Sequence, residues 1–282
     1  PMPAAASIQT QENAENLAKI TGEVLRMLGF NMNFAPVVDV IDEQSADYRA
    51  NGLYSRVFGN SKATVELAGA YLNTLQSVGC LGCVKHFPGL GASQTDSHED
   101  LPIVEMDRDA LFMRDLIPYR QLFASEEVHA VMVAHASYPL FDLQETDANG
   151  KLLPSSLSFN IINNLLRDEL NFSGLVISDD LEMGAILKNY TIGDACKMAI
   201  KAGVDMLSIC ADSDRILEGY KTIVEAVKTN EIKETRIDES LRRIAKVKSL
   251  IQPPLPLDTN RLQILSREIA ELNKKVNYSY GG

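Results

Sequence analysis

The chain alternates short apolar segments with amphipathic ones, and this alternation limits the folds that it can adopt. Most of the apolar segments are nearly continuous runs, as expected for β-strands that are covered on both faces. The predicted strands are Asn31–Val40, Cys80–His86, Ala130–His135, Leu175–Asp179 and Val204–Cys210. Because helical patterns separate these strands and no hairpin turn joins any two of them, we predict a parallel sheet with right-handed crossovers.

Helical periodicity fills the intervals between the predicted strands. Serine or aspartate at several of the predicted starts can accept a hydrogen bond from a first-turn N–H. The predicted helices are one that Gly29 ends, then Ser61–Val78, Asp107–Ala124, Ser158–Leu170, Asp194–Ala202, Asp214–Lys228, Ile237–Ile251 and Thr259–Asn273.

Such a parallel sheet is either a barrel or an open, doubly wound sheet. No G-x-G-x-x-G or P-loop pattern follows a predicted strand, so the nucleotide-binding form of the open sheet loses support. Polar residues instead stand at or just past the carboxyl ends of the five strands: Asp39, Lys85–His86, His135, Asp179–Asp180 and Asp212. Because barrel enzymes build their active sites on that face, we predict a TIM-barrel-like α/β domain over residues 1–251. A proline-rich linker and a C-terminal helix are predicted over residues 252–282.

Two segments carry the groups best suited to catalysis. The first runs through Lys85–Gly91 and Thr95–His98, and it places a lysine, two histidines and a carboxylate around one glycine-rich loop. The second is the end of the fourth strand, where Asp179 and Asp180 are adjacent. In an extended segment the two side chains point to opposite faces. We therefore expect one of them to work in the site and the other to brace the loop.

Composition excludes several classes of function. A net charge of −11 and a pI near 4.9 leave no basic surface for nucleic acid or anionic lipid. No apolar run approaches the roughly 20 residues that span a bilayer, and residues 1–30 lack the pattern of a signal peptide. The four cysteines are expected to be reduced core residues, which favours the cytoplasm, with a C-x-x-C redox or metal pair at Cys80 and Cys83 as the alternative.

Six sequence blocks, taken together and in this order, resemble glycoside hydrolase family 3 and, within it, the β-N-acetylglucosaminidase branch. The blocks are Asn33–Val40, Arg56–Gly59, Lys85–Gly89, Asp96–His98, Pro154–Ser158 and Ser178–Met183. The resemblance runs from Pro1 to about Asp212. It implies a (β/α)8 barrel, no cofactor, a small glycan or muropeptide as substrate, and a retaining exo-β-N-acetylglucosaminidase that hydrolyses terminal β-linked N-acetylglucosamine, as in peptidoglycan fragments.

The same resemblance implies roles for single residues. Asp179 would be the nucleophile, and Asp96 with His98 would form the acid/base dyad. An imidazole suits the second role because its unperturbed pKa lies near neutral pH. The expected substrate-binding residues are Arg56, Lys85, His86 and, from its position at a strand end, His135, for which a hydrogen-bonded core histidine is the alternative.

The chain also departs from the family pattern. Family members carry further strands before the segment that matches Pro1, so we expect an N-terminally incomplete copy with about five of the eight strands of a full barrel, and a true start upstream would leave secretion open. The segment 41–55 is longer than the family pattern, and Leu90 stands where histidine is common. The alternatives are a β-glucosidase, β-xylosidase or glycoside phosphorylase of the same family, or an inactive or sugar-binding fragment. No metal is expected, because the histidines and Asp96 fit no compact ligand spacing.

Overall fold

The computed structural model describes residues 1–41, 53, 55–93, 97–125 and 128–278. Its strands are β1 (Met32–Asn33), β2 (Leu81–Gly82), β3 (Val84–Phe87), β4 (Ala130–Val133), β5 (Leu175–Asp180) and β6 (Met206–Ser208). Its α-helices are α1 (Gln11–Met27), α2 (Ser61–Ser77), α3 (Arg108–Met113), α4 (Leu116–Ser125), α5 (Gly184–Leu187), α6 (Ile192–Ala202), α7 (Ser213–Lys228), α8 (Glu234–Lys248) and α9 (Thr259–Lys275). Short 3₁₀-helices cover Ala5–Ser7 and Ser155–Leu157, and a π-helix covers Asn160–Glu169.

All strand pairs are parallel, which confirms the predicted α/β class. β1 pairs with β2, and β3, β4, β5 and β6 pair in chain order. Within the described ranges the two sheets do not close into a barrel. β2 and β3 divide the single predicted strand Cys80–His86 between the two sheets. The carboxyl ends of all these strands therefore lie on one side of the molecule.

The first and last strands are shorter than predicted. The predicted strand Asn31–Val40 forms only the two-residue β1, followed by one isolated bridge between Val37 and Lys85. Pro36 lies between them and has no N–H to donate to a ladder, which limits the pairing. At the other edge β6 is three residues long, because the register with β5 shifts before its end.

Several predicted helix boundaries are wrong: α6 begins at Ile192 and not at Asp194, and α8 covers Glu234–Lys248 and not Ile237–Ile251. The N-cap of α2 is Asn60, whose side chain accepts a hydrogen bond from a first-turn amide at 3.1 Å, and not Ser61. The predicted helix Asp107–Ala124 is divided into α3 and α4, with Arg114 at the break. Pro118 requires this division, since a proline is accommodated in the first turn of a helix but not in its interior.

Helix α8 covers one face of the sheet. Val247, with Ile244 beside it, packs on apolar side chains that alternate along the strands, namely Leu81, Cys83, Ala130, Met132, Leu175 and Ile177. Because side chains two residues apart in a strand share a face, Asp179 lies on the same face as Leu175 and Ile177, at its carboxyl end. The larger apolar core fills the space between the opposite face and the surrounding helices.

The C-terminal helix α9 packs on α1. Leu265 is buried with Ile20 and Met27, and Arg261 forms an ion pair with Glu23 at 2.8 Å. The predicted helix of the segment 252–282 is therefore confirmed and lies against the rest of the chain. None of the helices in the described part of the chain is long and apolar enough to cross a membrane.

Three of the four cysteines match the expectation of reduced core residues. Cys80, Cys83 and Cys196 are buried free thiols, and burial raises the pKa of each. Cys210 is free but exposed, because it follows the last strand at the open edge of the sheet. The expected core position is therefore wrong for Cys210.

Candidate active site at the carboxyl ends of the strands

The loop after β3 is organised by Asp39, a fully buried residue that follows β1. Its carboxylate accepts hydrogen bonds from the His86 ring at 2.6 Å and from the Leu90 amide at 2.7 Å. The His86 amide approaches the same carboxylate at 3.3 Å. Asp39 therefore fixes the loop at two points and orients the imidazole of His86 through Nδ1. The sequence pattern identifies Asp39 as a polar residue at a strand end but assigns it no role. The partners of Asp39 lie 47 and 51 residues away along the chain, so no local pattern connects them.

Nε2 of His86 faces Asp179, at 3.9 Å from Oδ2. Asp179 and Asp180 are the two partly exposed residues at the end of β5, and 15% of the Asp179 side chain is accessible. Its Oδ1 accepts the amide of Asp180 at 2.9 Å, whereas Oδ2 is directed toward the histidine. Burial by itself raises the pKa of Asp179, but the His86 and His135 rings, the Asp180 amide and the charge of Lys85 together outweigh it, and the pKa lies below its ordinary value. Asp179 is therefore an ionised carboxylate at neutral pH.

The adjacent Asp180 has the second role that the strand alternation predicts. Its Oδ1 accepts the amide of Glu182 at 3.0 Å, which braces the turn after β5. The Glu182 carboxylate in turn accepts the Ala211 amide and pairs with Arg215 at 3.2 Å. The turn that presents Asp179 is thus held from the segment that follows β6.

Lys85 and Arg56 line one cavity of about 530 Å³ beside β1, together with Asn33 and Tyr71. Lys85 is half-buried, whereas Arg56 is exposed. Burial and the charge of Arg56 lower the pKa of Lys85, and the nearby Asp179 partly offsets this effect. Lys85 therefore interacts electrostatically both with Arg56 on the cavity wall and with Asp179 at the end of β5.

Of the predicted acid/base pair, only His98 lies within the described residues. Asp96 lies outside them, so the predicted Asp96–His98 dyad stays a prediction. His98 is exposed on the loop, and its carbonyl accepts the Gly184 amide at 3.2 Å. The Ser97 carbonyl accepts the Ala185 amide at the same distance. The backbone around His98 is thus tied to the start of α5.

His135 is placed differently from the other predicted ligands. It is 1% exposed, and both of its ring nitrogens are engaged within the protein. Nδ1 lies 2.7 Å from the Ser156 hydroxyl and Nε2 lies 3.0 Å from the Asp180 carbonyl. This geometry leaves no ring nitrogen for a sugar, because each is used to hold the end of β5 or the Ser155–Leu157 turn. The structure therefore gives His135 the alternative role of a hydrogen-bonded core histidine.

Asp212, the last of the predicted strand-end residues, is used as a helix cap. Asp212 caps α7 by accepting the amide of Asp214 at 2.8 Å. In the ranges that the structure describes, no three His, Cys, Asp or Glu residues are grouped so that they could hold a metal ion. Among the described residues, the groups at the end of β5 are the Asp179 carboxylate and the His86 imidazole, with the Lys85 cation interacting with that carboxylate.

A family model described as the glycosyl hydrolase family 3 N terminal domain matches residues 1–247. Among curated proteins, beta-hexosaminidase A of Pseudoalteromonas piscicida is 31% identical over 246 residues, which are 84% of this chain and 40% of that protein. A beta-hexosaminidase of Nitrosomonas eutropha is 30% identical over 237 residues, covering 83% of this chain and 64% of the relative. The chain thus spans about half the length of the curated relatives that it matches.

Solved structures give the same result for the fold. A glycoside hydrolase family 3 beta-N-acetylglucosaminidase from Paenibacillus sp. str. FPU-7 superposes with a TM-score of 0.81 at 32% identity, covering 96% of this chain and 51% of that one. Zn-bound CbsA from Thermotoga neapolitana gives 0.79 at 29% identity, over 90% of this chain and 52% of that one. The beta-glucoside phosphorylase BglX gives 0.85 at 22% identity over 96% and 49%, a likeness of fold alone.

Proposed function

Because the chain belongs to glycosyl hydrolase family 3, we propose that it carries the catalytic centre of a retaining exo-β-N-acetylglucosaminidase. The observation that carries the proposal is the ionised, partly accessible Asp179 at the end of β5, with His86 facing it at 3.9 Å. A carboxylate in this state is the nucleophile that a retaining glycosidase requires. The relatives named beta-hexosaminidase and beta-N-acetylglucosaminidase support the N-acetylhexosamine part of the proposal.

In the first step, Oδ2 of Asp179 attacks the anomeric carbon of the terminal sugar. The bond from that carbon to the leaving oxygen breaks with its electron pair on the oxygen, and a protonated His98 supplies the proton. The product is a covalent glycosyl ester of Asp179. In the second step water attacks the same carbon, its proton returns to His98, and the Asp179 carboxylate is released. Two inversions at one carbon retain the β-configuration.

The geometry supports Oδ2 as the attacking atom. Oδ1 of Asp179 is held by the Asp180 amide at 2.9 Å, so the carboxylate has a fixed orientation. The approach of His86 lowers the pKa of the carboxylate without a hydrogen bond to it, because 3.9 Å exceeds hydrogen-bond distance. An oriented, charged and weakly bonded oxygen is suited to nucleophilic attack.

Three residues are suited to bind the hydroxyl groups of the terminal sugar. His86 has Nδ1 fixed on Asp39, which leaves Nε2 to face Asp179. Lys85 and Arg56 add N–H donors from the wall of the 530 Å³ cavity. We propose that these groups select a terminal sugar residue and place its anomeric carbon above Asp179.

The proposed natural substrate is a terminal β-linked N-acetylglucosamine of a small glycan, of the kind present in peptidoglycan fragments. Two features support a small glycan over a long polysaccharide. The sequence contains no tryptophan that could form a stacking platform. Two of the candidate ligands, Lys85 and Arg56, are also charged groups on the wall of one cavity.

The experiment compares hydrolysis of a chromogenic β-N-acetylglucosaminide with that of the matching β-glucoside. It uses the present chain, the chain extended by any coding sequence that adjoins it in its gene, and Asp179→Ala of each; Asp168→Ala, at an exposed carboxylate, is the control. We expect activity on the N-acetyl substrate that Asp179→Ala abolishes and that Asp168→Ala leaves intact. Release of the β-anomer, followed by NMR, tests retention.

Two further arms separate the alternatives. Replacing water by phosphate as the acceptor distinguishes a phosphorylase, which would release a sugar phosphate. Mass spectrometry of a quenched reaction should find one N-acetylhexosaminyl group on the peptide that contains Asp179. A folded protein without activity in either length would contradict the proposal and support a binding or inactive role.

A further inference from the structure

The segment that follows β4, Ala134–Tyr138, lies between the two loops of the candidate site. Its first amide, on Ala134, donates to the Phe87 carbonyl at 2.8 Å, where the loop after β3 begins. Two of its side chains, His135 and Tyr138, are 1% and 0% exposed. Each of them reaches a different loop, so this short segment is connected to both sides of the site.

Tyr138 reaches the loop that follows β3, the strand that carries Lys85 and His86. Its hydroxyl donates to the carbonyl of Gly89 at 2.7 Å, and the bond is buried. Gly89 has a φ of +141°, and a Cβ at this position would lie 2.5 Å from Cβ of Asp115. The turn is therefore confined from one side by Asp115 and bonded from the other by Tyr138.

His135 reaches the end of β5, the strand that carries the nucleophile. The Asp180 carbonyl can only accept, so Nε2 of His135 carries the hydrogen of their 3.0 Å bond. Nδ1 then accepts from the Ser156 hydroxyl at 2.7 Å. Burial lowers the pKa of His135, in keeping with a neutral ring that has this one tautomer. The bond to Asp180 fixes the peptide unit between Asp180 and Leu181, one unit beyond the one that follows Asp179.

The segment itself is braced by the Ser155–Leu157 turn. Both the amide and the hydroxyl of Ser155 donate to the Ala136 carbonyl at 2.8 Å, and the Ser156 amide donates to the Ala134 carbonyl at 3.1 Å. The Ser156 hydroxyl then completes the connection to the His135 ring. A continuous set of buried bonds thus runs from Gly89 through this segment to Asp180.

We propose that His135 and Tyr138 are positioning residues that set the spacing between the nucleophile and the loop 88–91, without contacting the substrate. We call this loop the sugar-binding loop, because it directly follows Lys85 and His86 in β3. The proposal rests on the proposed function for its kinetic meaning. Both side chains are buried and their polar atoms are bonded within the protein, whereas Lys85 is half-buried on the cavity wall and His86 directs Nε2 toward Asp179. Because the two side chains hold different loops, their loss should affect different kinetic constants.

The kinetic test uses Tyr138→Phe, which removes only the hydroxyl, and His135→Leu, which removes both ring nitrogens. For Tyr138→Phe we expect KM to rise about tenfold with kcat within about twofold, because the sugar-binding loop is displaced. For His135→Leu we expect kcat to fall about 10- to 100-fold with a smaller change in KM, because the nucleophile is displaced. His135→Gln keeps a donor toward Asp180 and should recover part of kcat. Tyr190→Phe is the control, since its hydroxyl approaches Asp147 at 3.5 Å and neither loop.

Hydrogen–deuterium exchange tests the same proposal without activity. Exchange should rise at 180–183 in His135→Leu and at 89–91 in Tyr138→Phe, and stay unchanged in Tyr190→Phe. If His135→Leu does not fold, His135→Gln is used in its place, and we expect it to give a smaller rise in hydrogen–deuterium exchange at 180–183. A rise in hydrogen–deuterium exchange that is uniform along the chain, or no rise at all, would overturn the proposal. Equal effects of Tyr138→Phe and His135→Leu on kcat and KM, measured per active molecule, would also overturn it. An inactive wild-type chain with the local exchange pattern would instead contradict only the proposed function.

Discussion

Two carboxylates on the sheet, Asp205 and Asp179, are surrounded in opposite ways. Asp205 precedes β6, and its fully buried side chain accepts from the Val176 amide, the Ser240 hydroxyl and three guanidinium groups. Asp179, at the other end of β5, has one amide on Oδ1 and a histidine at 3.9 Å from Oδ2. A carboxylate whose lone pairs are all used stabilises the fold, whereas one with an open oxygen is available for chemistry.

The partners of Asp205 explain why it belongs to the fold. Arg236 and Arg243 come from α8, and Arg167 comes from the π-helix, so the carboxylate joins two helices to the amino-terminal end of the sheet. Burial lowers the pKa of Arg167 to about 10. Removing Asp205 would therefore leave partly buried cations without their counter-charge, which is a large cost.

The largest effect that we predict is on catalysis at Asp179. Asp179→Asn should lower kcat/KM by a factor on the order of 10⁴, because the amide is no nucleophile. The free energy of unfolding should change by no more than about 1 kcal/mol, because the native carboxylate makes one backbone hydrogen bond. Initial rates and urea unfolding measure the two effects. A large loss of stability would place Asp179 with Asp205 and remove the contrast between them.

The opposite result is expected for Asp205. Asp205→Ala should lower the free energy of unfolding by roughly 3–5 kcal/mol, since it leaves three guanidinium groups around a vacated position. The kcat of the molecules that remain folded should be unchanged. Urea unfolding and active-site titration measure these quantities, with Asp168→Ala as an exposed control. If Asp205→Ala lowered kcat per folded molecule, the amino-terminal cluster would be coupled to the site.

Sequence patterns predict these two regions unequally. The apolar runs around Val131 and Val176 predict the strands, and the strand-end position predicts Asp179, because both signals are local. The Asp205 cluster could not be predicted, since its arginines lie 31 to 38 residues away along the chain. The Asp39–His86 bond spans 47 residues and escaped prediction for the same reason. Pro118 gave a local signal for the helix break, which the periodicity of Asp107–Ala124 obscured.

Asp115 tests an intermediate case between the two carboxylates. It is buried beneath Gly89, Oδ2 accepts from Arg114 at 2.7 Å, and Oδ1 has no hydrogen-bond partner among the residues that the structure describes. Burial raises its pKa from 3.8 to about 6, with Arg114 opposing the shift and Asp39 adding to it. The hydroxyls of Tyr119 and Tyr138 are the other titratable groups that face it.

The raised pKa of Asp115 determines the direction in which the free energy of unfolding changes with pH. Between pH 3.8 and about 6 the folded chain binds a proton that the unfolded chain has released, so the free energy of unfolding falls as the pH rises and is level above 6. A shift of roughly 2 pKa units corresponds to at most about 3 kcal/mol. Asp115→Asn should remove this slope. Urea unfolding of both proteins from pH 4 to 7 measures the difference, and parallel curves would contradict the prediction.

The smallest predicted effect concerns one bond in the Asp205 cluster. Ser240→Ala removes the hydroxyl that donates to Asp205 at 2.8 Å and should lower the free energy of unfolding by about 1 kcal/mol. The cost stays small because Asp205 keeps its guanidinium and amide donors, whereas the same loss at a sparsely bonded carboxylate would leave it unpaired. Ser249→Ala, at the exposed end of α8, is the control in urea unfolding. A loss as large as that of Asp205→Ala would show that the arginines depend on Ser240 to hold the carboxylate, so that the cluster acts as one unit.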